Sequence, residues 1–496
     1  MTIDLRSRWV APGACALVTF AAFAIVYCAN GGAAFPTDDA FINLHNARVL
    51  RLGQDQTYAG VPALVGATSG AHLALLLALE QLIASDTAAL FALCTLGGVA
   101  YVLGLFFTCR NLGCPDLEAA LIALGGLVFA GTLFQLLNGM DTGLAMAAVA
   151  WNIKLLTDRS RSLWFAVLCG IMPFIRPELS VLSVASMLVL LAESNVSVRF
   201  KIASVAVATA SATAFLAWYW FDTGSLVPNT VSAKMYYFAE RYADWSDKSF
   251  LIFAAILQGA LASFPLFLCL RFMRPPAVGR LLALFVLIFL AAYFWRFPSG
   301  LLHNGGRYLY VLAPIVLFGV ACGLSSAFRK QTFTLVAISM LFLPQAFGAR
   351  YYDYRTQVAG TRASLSDVVN WLNANLPDRP LVMVHDAGYV AYAGHAPLVD
   401  LVGLKTPAAM DFHKRTTYPS VGSERTKAVA EIADAFHPQY LLVLEDWDRR
   451  FGLVEGLRLH GWTTREVYAG RAPPETPAAN IYHLYELRSP APDIAG

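Results

Sequence analysis

Residues 162–193 read SLWFAVLCGIMPFIRPELSVLSVASMLVLLAE. If this stretch crosses a membrane once, every later segment points one way; if it turns back, every later segment points the other. A transmembrane helix takes about 20 mostly apolar residues. The two apolar arms, near 162–175 and 178–193, are about 14–16 residues long and roughly 21–24 Å as helices, too short to fill the hydrocarbon layer. Between them stands Ile175-Arg176-Pro177-Glu178. Proline lacks a helix donor and pushes the preceding residue out of the helical region. The pattern therefore predicts two short helices meeting at a polar junction, not one span kinked at Pro173 and Pro177. Charged side chains at such depth face a cavity or a partner.

Further apolar runs lie near 9–28, 87–108, 118–136, 201–221, 249–271, 281–297, 308–326 and 331–348, with a shorter one near 142–157. With the two arms they make about eleven crossings. The first ends in Asn30-Gly31-Gly32 without a small-residue cleavage site and reads as an uncleaved anchor. The stretch 68–85 contains His72 and is interrupted by Glu80-Gln81, so it is expected to lie on the outer face as an interfacial helix.

Composition agrees. The 496 residues are 57% hydrophobic and 14% charged, against roughly 25% charge in a soluble globular protein. Of the 69 charged side chains, 37 fall in 1–348 and 32 in the 148 residues of 349–496. The expected fold is a polytopic α-helical membrane domain over 1–348, with its first outer loop at 29–86, followed by a soluble α/β domain over 349–496. A soluble enzyme, a disordered chain and a disulfide scaffold are excluded on these grounds. The net charge of +3 argues against a nucleic-acid partner. The eight cysteines all fall in expected spans or inner loops, so disulfides are not part of the fold.

Lys and Arg in short loops mark the cytoplasmic side. Arg6 and Arg8, Arg110, Lys154 with Arg159 and Arg161, Arg199 with Lys201, Arg271 with Arg274 and Arg280, and Arg329 with Lys330 share one side if eleven spans are counted and 68–85 is not. The N-terminus is then cytoplasmic and the C-terminal domain lies on the opposite face, outside the cytoplasm.

That topology collects the unusual polar residues of the membrane half on the outer face. Phe35-Pro36-Thr37-Asp38-Asp39-Ala40-Phe41-Ile42 with Ala47-Arg48 resembles the first outer loop of bacterial GT-C glycosyltransferases, and Gly66-Ala67-Thr68-Ser69 resembles that loop's end. The similarity continues through Gly139-Met140-Asp141-Thr142, Arg176-Pro177-Glu178, Val227-Pro228-Asn229-Thr230-Val231-Ser232-Ala233-Lys234 and Gly306-Arg307-Tyr308 to His385-Asp386-Ala387-Gly388 and Val399-Asp400-Leu401-Val402-Gly403-Leu404. The order of these motifs over nearly the whole chain resembles most the arabinofuranosyltransferase branch, which uses polyprenyl-phosphate sugars. The resemblance implies the GT-C fold, juxtamembrane outer helices and catalysis on the periplasmic side. The chain departs from the pattern at Ser69-Gly70-Ala71-His72, where relatives usually carry Ser-Pro-Leu-Trp, so the resemblance says less about the acceptor than about the chemistry.

A sugar on a lipid phosphate has a good leaving group. The enzyme must take a proton from an acceptor hydroxyl and stabilise phosphate charge. Asp38 and Asp39 are the expected catalytic carboxylates, Asp38 the first choice for the base; the structural alternative is a helix N-cap. Lys234, Arg307 and His303 are the expected phosphate contacts, with interfacial anchoring as the alternative for the two cations. Asn229 is a candidate for the sugar or for capping the next helix. Arg176 is placed with the donor group, although pairing with Glu178 across a buried turn is the favoured role. Asp141, Glu178, Ser69 and His72 are expected to support the site or touch the acceptor. Asp38, Asp39 and Asp141 are candidate ligands for Mg²⁺ or Ca²⁺, an ion that the spacing does not establish.

In the last 148 residues, helices near 363–375 and 424–436 lead into strands at 381–384 and 440–444. His385, Asp386 and Asp400 follow strands where α/β folds bind ligands, but no dinucleotide fingerprint is present. This domain is expected to pack on the membrane cavity or help bind the acceptor, and Trp447, Tyr389 and Tyr392 are candidates to stack on sugars or simply fill its core. The expected function is an inverting transfer of a sugar, arabinofuranose first, from polyprenyl phosphate to an envelope glycan, glycolipid or protein. The rivals are the same chemistry with a mannose-type hexose and, from another class, a lipid or glycolipid transporter.

Overall fold

The computed structural model describes residues 9–158, 162–260, 264–472 and 481–490. Arg6, Arg8, Arg159 and Arg161, which contribute to the orientation argument, lie outside the described residues. Among those described, seven segments are long and apolar enough to cross a membrane: Val10–Ala29, Asp86–Asn111, Asp116–Leu136, Val198–Thr223, Pro276–Arg296, Pro298–Leu324 and the one beginning at Arg329. The other four expected crossings are helical but shorter. Thr142–Thr157 and Trp245–Ala260 have 16 residues each, Trp164–Ile175 has 12 and Leu179–Ala192 has 14. The helix Gly70–Glu80, at 11 residues, is roughly 17 Å long and falls short of a crossing.

The decisive stretch breaks where the sequence breaks it. Arg176 is extended at φ −152°, ψ 135°, ending one helix, and Glu178 precedes the next. The short helices are held by close approach. A Cβ on Gly170 would meet the Ala208 carbonyl oxygen of Val198–Thr223, and one on Gly97 would come 3.3 Å from the backbone of Gly143. Small residues at helix contacts of this kind let backbones approach where lipid supplies no hydrophobic drive. Ser69, Ser85 and Ser197 start their helices by accepting the N–H groups of His72, Ala88 and Phe200.

The helix Arg329–Gly360 runs unbroken through the expected domain boundary at 348/349 and passes through a π turn, Thr361–Leu365, into Ser366–Asn375. Beyond it stands a five-stranded sheet of order β2-β1-β3-β5-β4. Strands β1 (Val382–Val384), β2 (Leu398–Asp400) and β3 (Tyr440–Leu444) are parallel, while β4 (Thr463–Ala469) and β5 (Tyr482–Arg488) complete it antiparallel. The two strand positions foreseen from the sequence are β1 and β3. Ile42, Tyr58, Tyr237 and Phe238 of the membrane half are buried in the same core as Val382, Leu401 and Leu441 of the sheet domain. Each such side chain contributes about 1.5–3 kcal/mol on burial, so the sheet domain is seated on the loops that carry Ile42, Tyr58 and Tyr237 rather than tethered to them.

Candidate active site

The segment 35–39 enters the helix Asp39–Leu52 with two carboxylates, and the fold sends them in different directions. Asp38 has helical dihedrals and makes no capping bond to its own helix. Its two carboxylate oxygens instead accept the backbone N–H groups of Gly388 and Tyr389, at 2.7 and 2.6 Å, just beyond β1 of the sheet domain. Asp39 turns into a polar cavity, where its Oδ2 lies 2.7 Å from Arg307 Nη1 and 4.0 Å from Lys234 Nζ. Asn304 Nδ2 donates to the same oxygen at 3.4 Å.

Backbone conformation places the cationic side. Asn304, Gly305 and Gly306 all have positive φ (50°, 69° and 80°), a tight reversal that brings Asn304 and Arg307 to the same carboxylate. Such a run favours glycine and asparagine. Arg307 also donates through Nη2 to the Tyr308 hydroxyl at 3.0 Å. Lys234 comes from the helix Thr230–Phe238. The cavity, about 380 Å³ when the adjoining open solvent is included, is walled by Asp39, Ser69, Asp141, Lys234, Arg307 and Leu404 among others. Two more voluminous cavities, about 1100 and 820 Å³, are lined mainly by Leu, Val, Ile and Phe of the membrane helices and lie away from these groups.

Electrostatics drives the adjacent acids apart. Burial alone would push Asp39 up, but Lys234 and Arg307 outweigh it and hold its carboxyl well below the usual carboxylate range. Burial pushes Asp38 well above that range, with Asp386 and Asp39 adding to the effect against the two backbone N–H groups. Neighbouring carboxylates split in this way take different roles.

Of the residues singled out in the sequence, Asp39, Lys234, Arg307, Asp141 and Ser69 share the cavity wall. Asp38, the first choice for the base in the sequence, has both carboxylate oxygens bonded to the sheet domain and is not in that wall. His303 is packed against the rings of Phe238 and Phe297, at 4.9 and 5.1 Å, rather than opening on the cavity. Arg176, 1% exposed, pairs with Glu178 at 2.9 Å, lies 3.9 Å from Asp141 and sits over the Tyr308 ring. This is the pairing with Glu178 across the turn that the sequence suggested. His72 is 1% exposed, and its ring nitrogens have no hydrogen-bond partner among the described residues. Asn229 clamps two loops, accepting the Gly66 N–H and donating to the carbonyls of Gly403 and Leu404. Asp38, Asp39 and Asp141 do not form a ligand set: the first two are engaged by N–H groups and cations, and no three His, Cys, Asp or Glu side chains among the described residues could hold a metal ion. Tyr389 and Tyr392 pack on Phe41, and Trp447 on Tyr237 and His385.

Sequence reasoning missed Lys405, which follows the Val399–Leu404 motif directly. Its ammonium, fully buried, donates to Asn46 Oδ1 at 2.8 Å and the Val65 carbonyl at 3.0 Å, with Asp55 at 3.9 Å. Burial lowers it to about 8 although Asp55 opposes the shift. Leu404 of the sheet domain stands in the cavity wall with Gly66, and the Lys405 stem lies directly against Gly66.

Residues 349–485 match a family described as a domain of unknown function, DUF8728. No curated protein sequence matches the chain. Among solved structures, the chain is similar to the arabinofuranosyltransferase AftD from Mycobacteria, with 17% identity and a TM-score of 0.51 over 99% of this chain and 40% of that one. It is likewise similar to ArnT from Cupriavidus metallidurans bound to undecaprenyl phosphate, with 14% identity and a TM-score of 0.54 over 97% of this chain and 98% of that one. The chain therefore spans less than half the length of the mycobacterial protein. At these identities the likeness establishes the fold, which is GT-C.

Proposed function

We propose that the protein is an inverting glycosyltransferase that takes a sugar, arabinofuranose in our reading, from a polyprenyl phosphate and passes it to an envelope glycan, glycolipid or protein. The observation that carries this reading is the meeting of Asp39 with Arg307 and Lys234 in one polar cavity of a membrane protein. The two solved neighbours, an arabinofuranosyltransferase and a protein holding undecaprenyl phosphate, favour the same donor class.

The chemistry follows from the charges. With no donor bound, the two cations hold Asp39 as a weakly basic carboxylate. A lipid phosphodiester entering the cavity takes Arg307 and Lys234 as its partners, and Asp39, released from them, becomes basic enough to accept a proton. The acceptor oxygen bonds to the anomeric carbon as its proton passes to Asp39. The bond from that carbon to the phosphate oxygen breaks, and the additional negative charge on the departing polyprenyl phosphate rests on Arg307 and Lys234. One displacement and one carboxylate invert the anomeric centre.

In this reading the chain is a multi-pass protein of a bacterial inner membrane with eleven crossings, a cytoplasmic N-terminus and a periplasmic C-terminal domain. The basic residues of alternate loops support that orientation. The test is turnover of polyprenyl-phosphate-arabinofuranose by the purified protein in lipid nanodiscs. Release of polyprenyl phosphate with an inverted product is expected. Turnover of the mannose donor alone would move the assignment to a hexose, and no turnover of either donor by folded protein would remove the transferase reading in favour of lipid transport.

A further inference from the structure

The sheet domain also touches the membrane half through the turn Tyr418-Pro419-Ser420-Val421. The Tyr418 ring lies 5.1 Å from that of Tyr236 and 5.5 Å from that of Tyr242, and its hydroxyl accepts a hydrogen bond from Arg241 at 3.3 Å. Three residues beyond Tyr242, Trp245 opens the helix Trp245–Ala260 and packs edge-on against Phe294, with ring centroids 5.2 Å apart. Phe294 belongs to the last turn of Pro276–Arg296, one of the seven segments long and apolar enough to cross a membrane. The turn is thereby fixed close to the level at which that segment ends.

The side chains left open at that level are those of a membrane interface. Tyr242 and Trp245 are 58 and 70% exposed, and Trp295 is exposed beside Phe294. Tyr and Trp concentrate where a bilayer meets water, because each has an apolar ring and a polar tip. Farther along the same helix Phe250 and Phe253 are exposed, as side chains that face lipid are. The turn itself holds Val421 out, 43% exposed, at φ +52°, a region that β-branched residues rarely adopt. One turn earlier stand Lys414 and Arg415, both exposed and neither with an ion-pair partner among the described residues.

We propose that the turn 418–421 is a membrane-contact site of the sheet domain. Val421 enters the interfacial layer of the adjacent leaflet beside Tyr242 and Trp245, and Lys414 and Arg415 take the phosphate groups of its phospholipids. A lipid surface fits this patch better than a soluble partner does, because the patch is continuous with helices that themselves face lipid. The contact does not depend on the transferase reading. It gives the sheet domain a second hold besides the bonds of Asp38 to Gly388 and Tyr389, and so fixes its tilt over the cavity that Leu404 and Asp39 share.

Collision accessibility of a nitroxide on Val421→Cys tests it, in the full chain with the exposed Cys28 replaced by Ser. The protein is held in nanodiscs of phosphatidylcholine and phosphatidylglycerol. Oxygen, which concentrates in lipid, is expected to reach the label more often than a water-soluble nickel chelate does. That order should reverse at Leu459→Cys, an exposed position ahead of the edge strand β4. A label at 421 as open to the chelate as one at 459 overturns the site. Low access to both reagents at 421 overturns it as well, since protein, such as a second copy of the chain, would then cover the turn. Should Val421→Cys fail to fold, Pro419→Cys, exposed in the same turn, carries the label under the same expectations. Lys414→Gln with Arg415→Gln should raise chelate access at 421, and unchanged access would overturn the phosphate contact.

Discussion

Asp38 accepts the backbone N–H of Gly388 at 2.7 Å, a bond between residues 350 positions apart in the sequence. The carboxylate beside the catalytic candidate is thus part of the joint between the membrane half and the sheet domain, and the sheet domain helps to set where Asp39 points. The two acids should respond differently to substitution. Asp39→Asn is expected to lower kcat by about 10³-fold or more while the protein stays folded, because it removes the proton acceptor of the proposed mechanism. Asp38→Asn should cost about tenfold, through misplacement of its neighbour, and should expose the joint to protease. Turnover of polyprenyl-phosphate-arabinofuranose and limited proteolysis of both variants check this; equal losses with an intact joint would refute the division of roles.

Gly388 is needed for space rather than for an unusual dihedral. A Cβ there would sit 2.2 Å from the Asp38 carbonyl oxygen and 2.9 Å from the Ile42 nitrogen, both backbone atoms that cannot swing aside. Gly388→Ala should therefore push the sheet domain off the segment 38–42 and cost on the order of 1–3 kcal/mol. Activity should fall although no side chain of the cavity has changed. Hydrogen exchange would show the loss as faster exchange at 388–393 together with 39–44, whereas a change confined to 388–393 would argue against coupling across the joint.

Much of this was legible before the structure. The break at Ile175-Arg176-Pro177-Glu178 was readable because proline and two charges interrupt an apolar run. The positions of β1 and β3 were readable because short apolar runs follow amphipathic helices. Arg307, Lys234 and Asp141 could be picked out as charges that a membrane segment does not carry idly. The division between Asp38 and Asp39 could not be read, because adjacent residues on a helical turn point about 100° apart and what decides is which one meets Gly388. The places of Leu404 and Lys405 were hidden for a similar reason. They depend on how the sheet domain docks, and local pattern carries no information about contacts several hundred residues apart.

Lys405 offers a test of that docking from the other side. It enters the segment 46–65 as a fully buried cation bonded to Asn46 and the Val65 carbonyl near Asp55. Lys405→Met keeps the stem and removes the charge, leaving buried Asp55 with one partner fewer. Breaking one side of a buried ion pair costs about 3–5 kcal/mol. The double variant Lys405→Met with Asp55→Asn should recover part of that loss. Thermal unfolding of the four proteins forms a double-mutant cycle, and additive losses would show that the two groups do not interact.

Asp400 gives the joint a pH dependence whose sign can be worked out. It is fully buried at the end of β2, where its carboxylate oxygens accept the N–H groups of Val402 and Lys405 at 2.9 and 2.8 Å. Burial pushes its carboxyl up to about 6, against those N–H groups. A folded-state value above the ordinary carboxylate value means that the folded protein holds more protons than the unfolded chain between about pH 4 and 6. The stability from protonated Asp400 is therefore fully present below pH 4 and lost as pH rises through 6. A shift of about two units corresponds to on the order of 3 kcal/mol. Hydrogen exchange at 398–406, corrected for intrinsic rate, should show protection falling from pH 4.5 to 7. Asp400→Asn, which cannot ionise, should flatten that slope, and an unchanged slope in the variant would assign the dependence to another group.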